Sequence, residues 1–191
     1  LADCLRQAGL RVMMTRETDV AVGLSQRAAM ANTAQAGLFV SVHNNASGGG
    51  EDGPNGTETF YPGTPATYCP EGRLLAEAIQ RNLIRVLGSK DRGAQTHWNR
   101  LVVLTETEMT AALVEVGFMT NLAEETKLLT PSYQAAAAQA IAAGIMEYLE
   151  WSTTVYTTDT NNGTNPTNTS NPTSTTKTAQ TTPSPSVETS F

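Results

Sequence analysis

The sequence predicts a single α/β domain through about Trp151, followed by a polar tail. Three observations lead there. Leu38 to Val42 is a short apolar run rich in β-formers, the pattern of a strand buried on both faces inside a parallel sheet. Ala111 to Phe118 repeats the design, with one carboxylate near the end of the run and then a glycine. Around them, helical and strand patterns alternate, which is the βα order of an α/β domain.

Taken in order, Leu1 to Ala8 reads as the last turns of a helix ended by Gly9. Leu10 to Thr15 reads as a strand, with Arg16-Glu17-Thr18-Asp19 at its end. Arg16 is expected to anchor that loop through Asp19 or another carboxylate, with an anionic substrate group as the other partner such a residue could take. Ser25 to Gln35 is a second helix with Leu24, Ala28 and Ala31 on one face, and Arg27 and Asn32 are expected to be structural hydrogen-bonders. Leu38 to Val42 is the buried strand, ending at His43. Ser47 to Asn55 is a Gly-rich, acidic loop. It lacks the Gly-Lys-Ser/Thr ending of a phosphate loop.

Gly56 to Tyr61 alternates polar and apolar residues and reads as a strand at a sheet edge with one wet face. Glu71 to Leu87 has a helical period, with Gly88 past its end. Asp91 to Asn99 reads as irregular, and Leu101 to Leu104 as a short strand. Asn121 caps a helix to Leu129, with Glu124 at the third position of a capping box. Pro131 opens a long Ala-rich helix to about Trp151, expected to pack closely on the sheet. From Ser152 to Phe191 the composition is mostly Thr, Ser, Asn and Pro, with large apolar residues nearly absent. Such a segment buries too little surface to offset chain entropy and is expected to be disordered. It carries two N-glycosylation patterns, at Asn162 and Asn168.

His43 stands where its strand leaves the sheet, at the carboxyl end that bears the ligand crevice in open α/β sheets. A histidine there can bind a metal, move a proton, or close off a strand end with a hydrogen bond. Glu115 holds the corresponding place in the second apolar run. A carboxylate is almost never buried without a partner. Glu115 therefore calls for a cation, a proton or the mouth of the sheet, and a structural ion pair with an Arg is as consistent with the pattern as catalysis. Two buried strands each ending in one ionisable group suggest that both converge on one crevice. His97 has no second ligand at helical or strand spacing and is not expected to bind a metal, and Trp98 beside it reads as a packing or glycan-stacking residue.

The formal net charge of -6 argues against nucleic acid, which needs basic patches, and leaves neutral polymers such as glycans open. No apolar run approaches the ~20 residues that span a bilayer. Cys4 and Cys69 lack the spacing of a zinc motif, and nothing in their placement supports a disulfide.

Four segments, in this order, resemble the zinc-dependent N-acetylmuramoyl-L-alanine amidases of the amidase-3 family. They are Thr15-Arg16 to Asp19; Arg27 with Ala31-Asn32; Phe39 to Ala46 followed by Gly56 to Tyr61; and Leu113 to Asn121. The resemblance runs from Leu1 to about Leu149. It implies a mixed, mainly parallel sheet with helices on both faces, so residues 1–151 are read as a partial amidase catalytic domain and 152–191 as a linker. It implies a zinc ion held by two His and one Glu, with a further Glu acting in catalysis. His43 matches the second histidine ligand and Glu115 the catalytic Glu. The first His, in a Gly-His-Gly-Gly turn, and the Glu ligand have no counterpart here. With the first strand and the start of the first helix also missing, the chain is expected to be an N-terminally truncated fragment, inactive as written. The implied parent is a peptidoglycan hydrolase that cleaves the amide between N-acetylmuramic acid and L-alanine of the stem peptide. It would be exported to the cell wall, and a cell-wall-binding domain beyond the linker is a partner such a tail would serve. The competing readings are a non-catalytic cell-wall binding module and a related zinc carboxypeptidase or amidohydrolase.

Overall fold

The structure, a computed structural model, describes residues 1–191 apart from 49, 64–68, 98–100, 162–185 and 191; for 155–161 and 186–190 it gives the backbone course only. In chain order the elements are α1 (Ala2–Gln7), β1 (Arg11–Met14), α2 (Leu24–Thr33), β2 (Leu38–Asn45), β3 (Thr57–Tyr61), α3 (Pro70–Leu87), β4 (Asp91–Thr96), α4 (Val102–Thr105), β5 (Thr110–Phe118), α5 (Leu122–Leu128), α6 (Pro131–Asn161) and β6 (Ser186–Ser190). One six-stranded sheet has the order β1-β6-β2-β5-β3-β4. From β1 to β5 neighbouring strands run parallel. β3 turns antiparallel to β5, and β4 follows β3 in parallel. The sheet is therefore mixed and mainly parallel.

Strand alternation sorts the core into two layers. Leu38 and Val40 of β2, with Ala112, Val114 and Val116 of β5, face α3 and α6, where Leu75, Ile79, Leu83, Ile141 and Ile145 are buried; Leu5 of α1 joins the same layer. Phe39, Phe60, Ala111 and Leu113 face the other way, against Ala31 of α2 and Val103 and Leu104 of α4. Helices thus cover both faces, as a sheet buried on both sides requires. Gly88, at φ +59, closes α3 in the left-handed conformation that a side chain disfavours.

Several elements differ from the sequence expectation. β2 continues past Val42 to Asn45, so His43 lies within the strand, just before a register shift against β5. β3 is not an edge strand. Asp91–Thr96, expected to be irregular, forms β4 outside it, and Thr57 to Phe60 are all buried. The polar residues of β3 are satisfied internally: Thr57 Oγ1 donates to the Val116 carbonyl at 2.8 Å, and Thr59 Oγ1 donates to Gln80 Oε1 at 2.8 Å. The same Gln80 amide donates to the Thr57 carbonyl and to Asp91 Oδ1, at 2.8 and 2.7 Å. An alternating pattern signals a wet face only when its polar residues lack such partners.

Leu101–Leu104 is not a strand, since Val102–Thr105 forms the short helix α4; four apolar residues do not distinguish the two by period. Leu24, placed on the apolar face of α2, is 49% exposed, while Ala28 and Ala31 are buried. The Ala-rich helix α6 packs tightly against α3: a Cβ on Gly144 would stand 2.5 Å from Ile79 Cα.

Within the expected tail the structure describes two stretches. α6 runs on to Asn161 instead of ending near Trp151. Ser152, Thr153 and Thr154 turn their hydroxyls back onto the carbonyls of Leu149 and Glu150, all at 2.9 Å, which lets them sit in a helix. Ser186–Ser190 forms β6, which pairs in parallel with β1 on one side and β2 on the other. The rest of the expected disordered linker, with both glycosylation patterns, lies outside the described residues. Cys4 and Cys69 are free thiols.

Candidate functional site

The site is one row across three strands. Successive side chains on a strand alternate between faces. Phe39, Ser41 and His43 therefore share a face of β2, and Ala111, Leu113 and Glu115 share the same face of β5. The register pairs Phe39 with Ala111, Ser41 with Leu113, and His43 with Glu115. On the far side of β5, Leu113 meets Phe60 and Glu115 meets Glu58. The lower members of these ladders are apolar and packed under α2 and α4. The last rung is ionisable: His43, Glu115, Glu58. The two strand ends do converge, as their sequence pattern suggested.

The two glutamates on that rung are treated differently. Glu58 is 4% exposed and fully engaged. It accepts from Asn45 Nδ2 at 2.8 Å, from Arg92 Nε at 3.0 Å and from Gln95 Nε2 at 3.2 Å. The Arg92 guanidinium also lies over the Phe118 ring, 4.9 Å from its centroid. The arginine that Glu115 could have paired with is thus spent on Glu58. Glu115 keeps a buried Oε2 with no hydrogen-bond partner. Burial, and then the Glu58 charge beside it, push the Glu115 carboxyl up to about 7.

His43 bonds through Nε2 to Ser41 Oγ at 2.7 Å, so Nδ1 is the nitrogen left for the crevice. Burial, then the charges of Arg27 and Arg16, hold its pKa below the usual histidine range, so the ring is neutral at neutral pH. Both arginines anchor the loop after β1: Arg16 Nη1 donates to the Val20 carbonyl at 3.2 Å and Arg27 Nε to the Val22 carbonyl at 3.0 Å. Asn32 ties α2 to the loop before β5, donating to the Glu106 carbonyl and accepting from Glu108 N. Arg27 and Asn32 thus have the structural roles expected of them.

The loop after β2 is stitched to the turn after β5. Met119 N donates to the Asn45 carbonyl, Ser47 N to Thr120 Oγ1, Leu122 N to the Glu51 carbonyl, and Asn121 Nδ2 to the Gly53 carbonyl. Asn121 caps α5 as expected, accepting from Glu124 N. The Glu124 carboxylate does not complete a capping box. It accepts from Gly56 N at 2.8 Å and Phe118 N at 2.7 Å, clamping the starts and ends of β3 and β5 behind the site.

Sequence reasoning missed Glu58, Asn45, Arg92 and Gln95. The readable signal was the charge at Glu58 inside a β-pattern. Asn45 reaches it from β2, and its other two partners, Arg92 and Gln95, come from β4, which the sequence did not announce. His97 sits at the opposite margin of the sheet, because β3 and β4 run against β5. It packs edge-on against Phe60, with ring centroids 4.9 Å apart.

A catalytic zinc site needs three protein ligands and an open position. Among the described residues no group of three His, Cys, Asp or Glu side chains could hold a metal ion. His43 and Glu115 together fall short of that donor set, so the described residues do not by themselves fit a catalytic zinc.

Comparison with known proteins places the chain. Residues 1–147 match Amidase_3, the N-acetylmuramoyl-L-alanine amidase family, and the chain belongs to that family. It is 37% identical over 145 residues to the N-acetylmuramoyl-L-alanine amidase LytC of Bacillus subtilis, covering 75% of this chain and 28% of that protein. It is 40% identical over 132 residues to an uncharacterized cell wall amidase of Bacillus anthracis, covering 67% of this chain and 24% of that protein. The chain therefore spans about a quarter of the length of these relatives. Among solved structures it resembles the catalytic domain of CwlV, an N-acetylmuramoyl-L-alanine amidase from Bacillus (Paenibacillus) polymyxa, with a TM-score of 0.69 and 35% identity over 78% of each chain. An N-acetylmuramoyl-L-alanine amidase from Clostridium difficile 630 gives a TM-score of 0.70 at 31% identity, over 78% of this chain and 80% of that one.

Proposed function

We propose that this chain is catalytic-domain sequence of a peptidoglycan amidase that cleaves the bond between N-acetylmuramic acid and L-alanine of the stem peptide. Family membership supports the reaction class, and one observation supports the residue: Glu115 carries a buried, unpartnered carboxylate oxygen beside His43 at the carboxyl end of β5. A base poised near neutrality is what general acid–base catalysis needs. Glu115 accepts a proton from the attacking water as the new C–O bond forms, then returns it to the amine as the C–N bond breaks. Glu58, held by Arg92, Asn45 and Gln95, lies beside Glu115 and helps to raise its pKa, keeping that carboxyl ready to hold a proton.

Zinc dependence rests on the family resemblance. Bound zinc would polarise the amide carbonyl, and His43 is the residue here that would ligate it, through the nitrogen not held by Ser41. The remaining donors are not among the described residues, so the chemistry assigned to this chain stops at Glu115. Action at the cell wall, after export, follows from the same substrate.

The test is digestion of purified peptidoglycan with product analysis. A new free N-terminal alanine on an intact stem peptide is the expected product. A released C-terminal residue would replace the amidase reading with a carboxypeptidase, and binding to sacculi without release would leave a binding module. Glu115→Ala in the active protein is expected to abolish turnover, and retained activity would remove the role given to Glu115.

A further inference from the structure

β4 pairs Asp91 with Thr57 and Ala94 with Thr59, so two of its residues, Arg92 and Gly93, stand opposite the single Glu58. The extra residue makes a β-bulge, a device that re-aims a side chain at a sheet's rim. Here it brings Arg92 to Glu58, on the rung shared with Glu115. Three contacts then fix the Arg92 side chain. Its Nε donates to Glu58 Oε2 at 3.0 Å, its guanidinium lies over the Phe118 ring, and its stem crosses Gly56, where a Cβ would stand 3.0 and 3.1 Å from Arg92 Cγ and Cδ. Nη1 and Nη2 are in a different position. Among the described residues neither has a hydrogen-bond partner, and the side chain is 32% exposed. An arginine serving Glu58 alone would present two parallel N–H groups to the carboxylate, the stronger pairing. Arg92 gives it Nε only and keeps its Nη1–Nη2 edge for something else.

A rigid, planar pair of N–H donors suits an anion taken in bidentate fashion. On the amidase reading, on which this inference rests, the substrate supplies that anion as a peptide carboxylate. β4 lies two strands from β5, about 10 Å, and an extended peptide advances ~3.3–3.6 Å per residue. A stem peptide whose scissile amide lies at Glu115 therefore comes within reach of the Arg92 side chain just beyond L-alanine. We propose that Arg92 is a specificity-determining residue: its Nη1–Nη2 edge binds a free carboxylate on the stem-peptide residue after L-alanine and distinguishes it from the amidated form. Glu58 and Phe118 hold the guanidinium in place for that contact.

The test uses the full chain and two soluble N-acetylmuramoyl peptides, identical except that the carboxyl of the second residue is free in one and amidated in the other. In calorimetric titration the wild type is expected to bind the free form roughly tenfold or more tightly, as a charge-assisted bidentate contact allows. Arg92→Gln is expected to bind both peptides equally, with the wild type's affinity for the amidated one. The Arg92 side-chain N–H resonances of the wild type should shift with the free carboxylate and not with the amide, a readout that needs no variant to fold. A purely structural Arg92 would instead weaken both peptides alike in R92Q. That result, equal affinities in the wild type, unmoved Arg92 resonances, or binding of neither peptide would overturn the assignment. Digestion of peptidoglycan is read separately. A free N-terminal alanine alongside equal affinities would strike the role of Arg92 alone, whereas a released C-terminal residue would strike the amidase reading itself.

Discussion

Glu115 makes a prediction that needs no substrate. Its carboxyl is pushed up to about 7 from an ordinary 4.5, by burial first and Glu58 second. In the folded chain it holds a proton that the unfolded chain releases. Between those values the folded state binds more protons than the unfolded, so stability falls as pH rises and levels off above about 7. Below 4.5 both states are protonated and the penalty is absent. The loss is on the order of 3 kcal/mol, from a shift of that size at about 1.36 kcal/mol per pKa unit. Denaturant unfolding between pH 5 and 8 should show this slope in the wild type and lose it in Glu115→Gln, which should be the more stable protein at pH 8. Parallel stability curves for the two would refute the burial argument. Glu124, by contrast, has both carboxylate oxygens hydrogen-bonded. Its carboxylate serves two buried N–H groups, of Gly56 and Phe118. Glu124→Ala strands both, at about 2–4 kcal/mol for two unpaired donors, read as a lowered unfolding midpoint. The meeting of His43 and Glu115 was legible in the sequence because each ends an apolar run, while the pattern alone left a strand-end hydrogen bond for His43 and an ion pair for Glu115 open. Glu58 was not, because the Arg92 and Gln95 that stabilise it arrive from a distant part of the chain.

Among elements, legibility followed length. The α3 period, its glycine stop and the apolar runs of β2 and β5 are long enough for one face to declare itself, and all three formed. α4 is four residues, too short for a period, and took the helical option. β3 was misplaced for a chemical reason: Thr57 and Thr59 look like a wet face until Gln80 supplies their partners from α3. The α3–α6 contact was also hidden, since a run of alanines tells how closely a helix can approach but not what it approaches. Gly144 sets that distance. A Cβ there would lie 2.5 to 2.8 Å from backbone atoms of Ile79 and Ala78. Intrinsic preference says that Ala in a helix is better than Gly by about 1 kcal/mol. We expect Gly144→Ala to destabilise instead, by about 1–3 kcal/mol, the range for overpacking a close contact. Calorimetry reads the sign directly, and a raised Tm would mean that α6 is free to move away from α3.

For the molecule as a whole, β5 is the hub. It pairs with β2 on one side and β3 on the other, and Ala111 to Val114 are buried under helices on both faces. Amides of that stretch should be the last to exchange, opening only with global unfolding. Faster exchange there than in β4 at the sheet's rim would show that the molecule opens through its centre. The reversal of strand direction at β3 has a further bearing. It splits the turns into two groups: those after β2 and β5 frame His43 and Glu115, while β3 and β4 discharge their chain at the opposite rim. The rim that carries the candidate site is the one constrained by the proposed function; the other is not. Insertions and appended labels are best carried there, and it is the side from which evolution could remodel this domain without touching its chemistry.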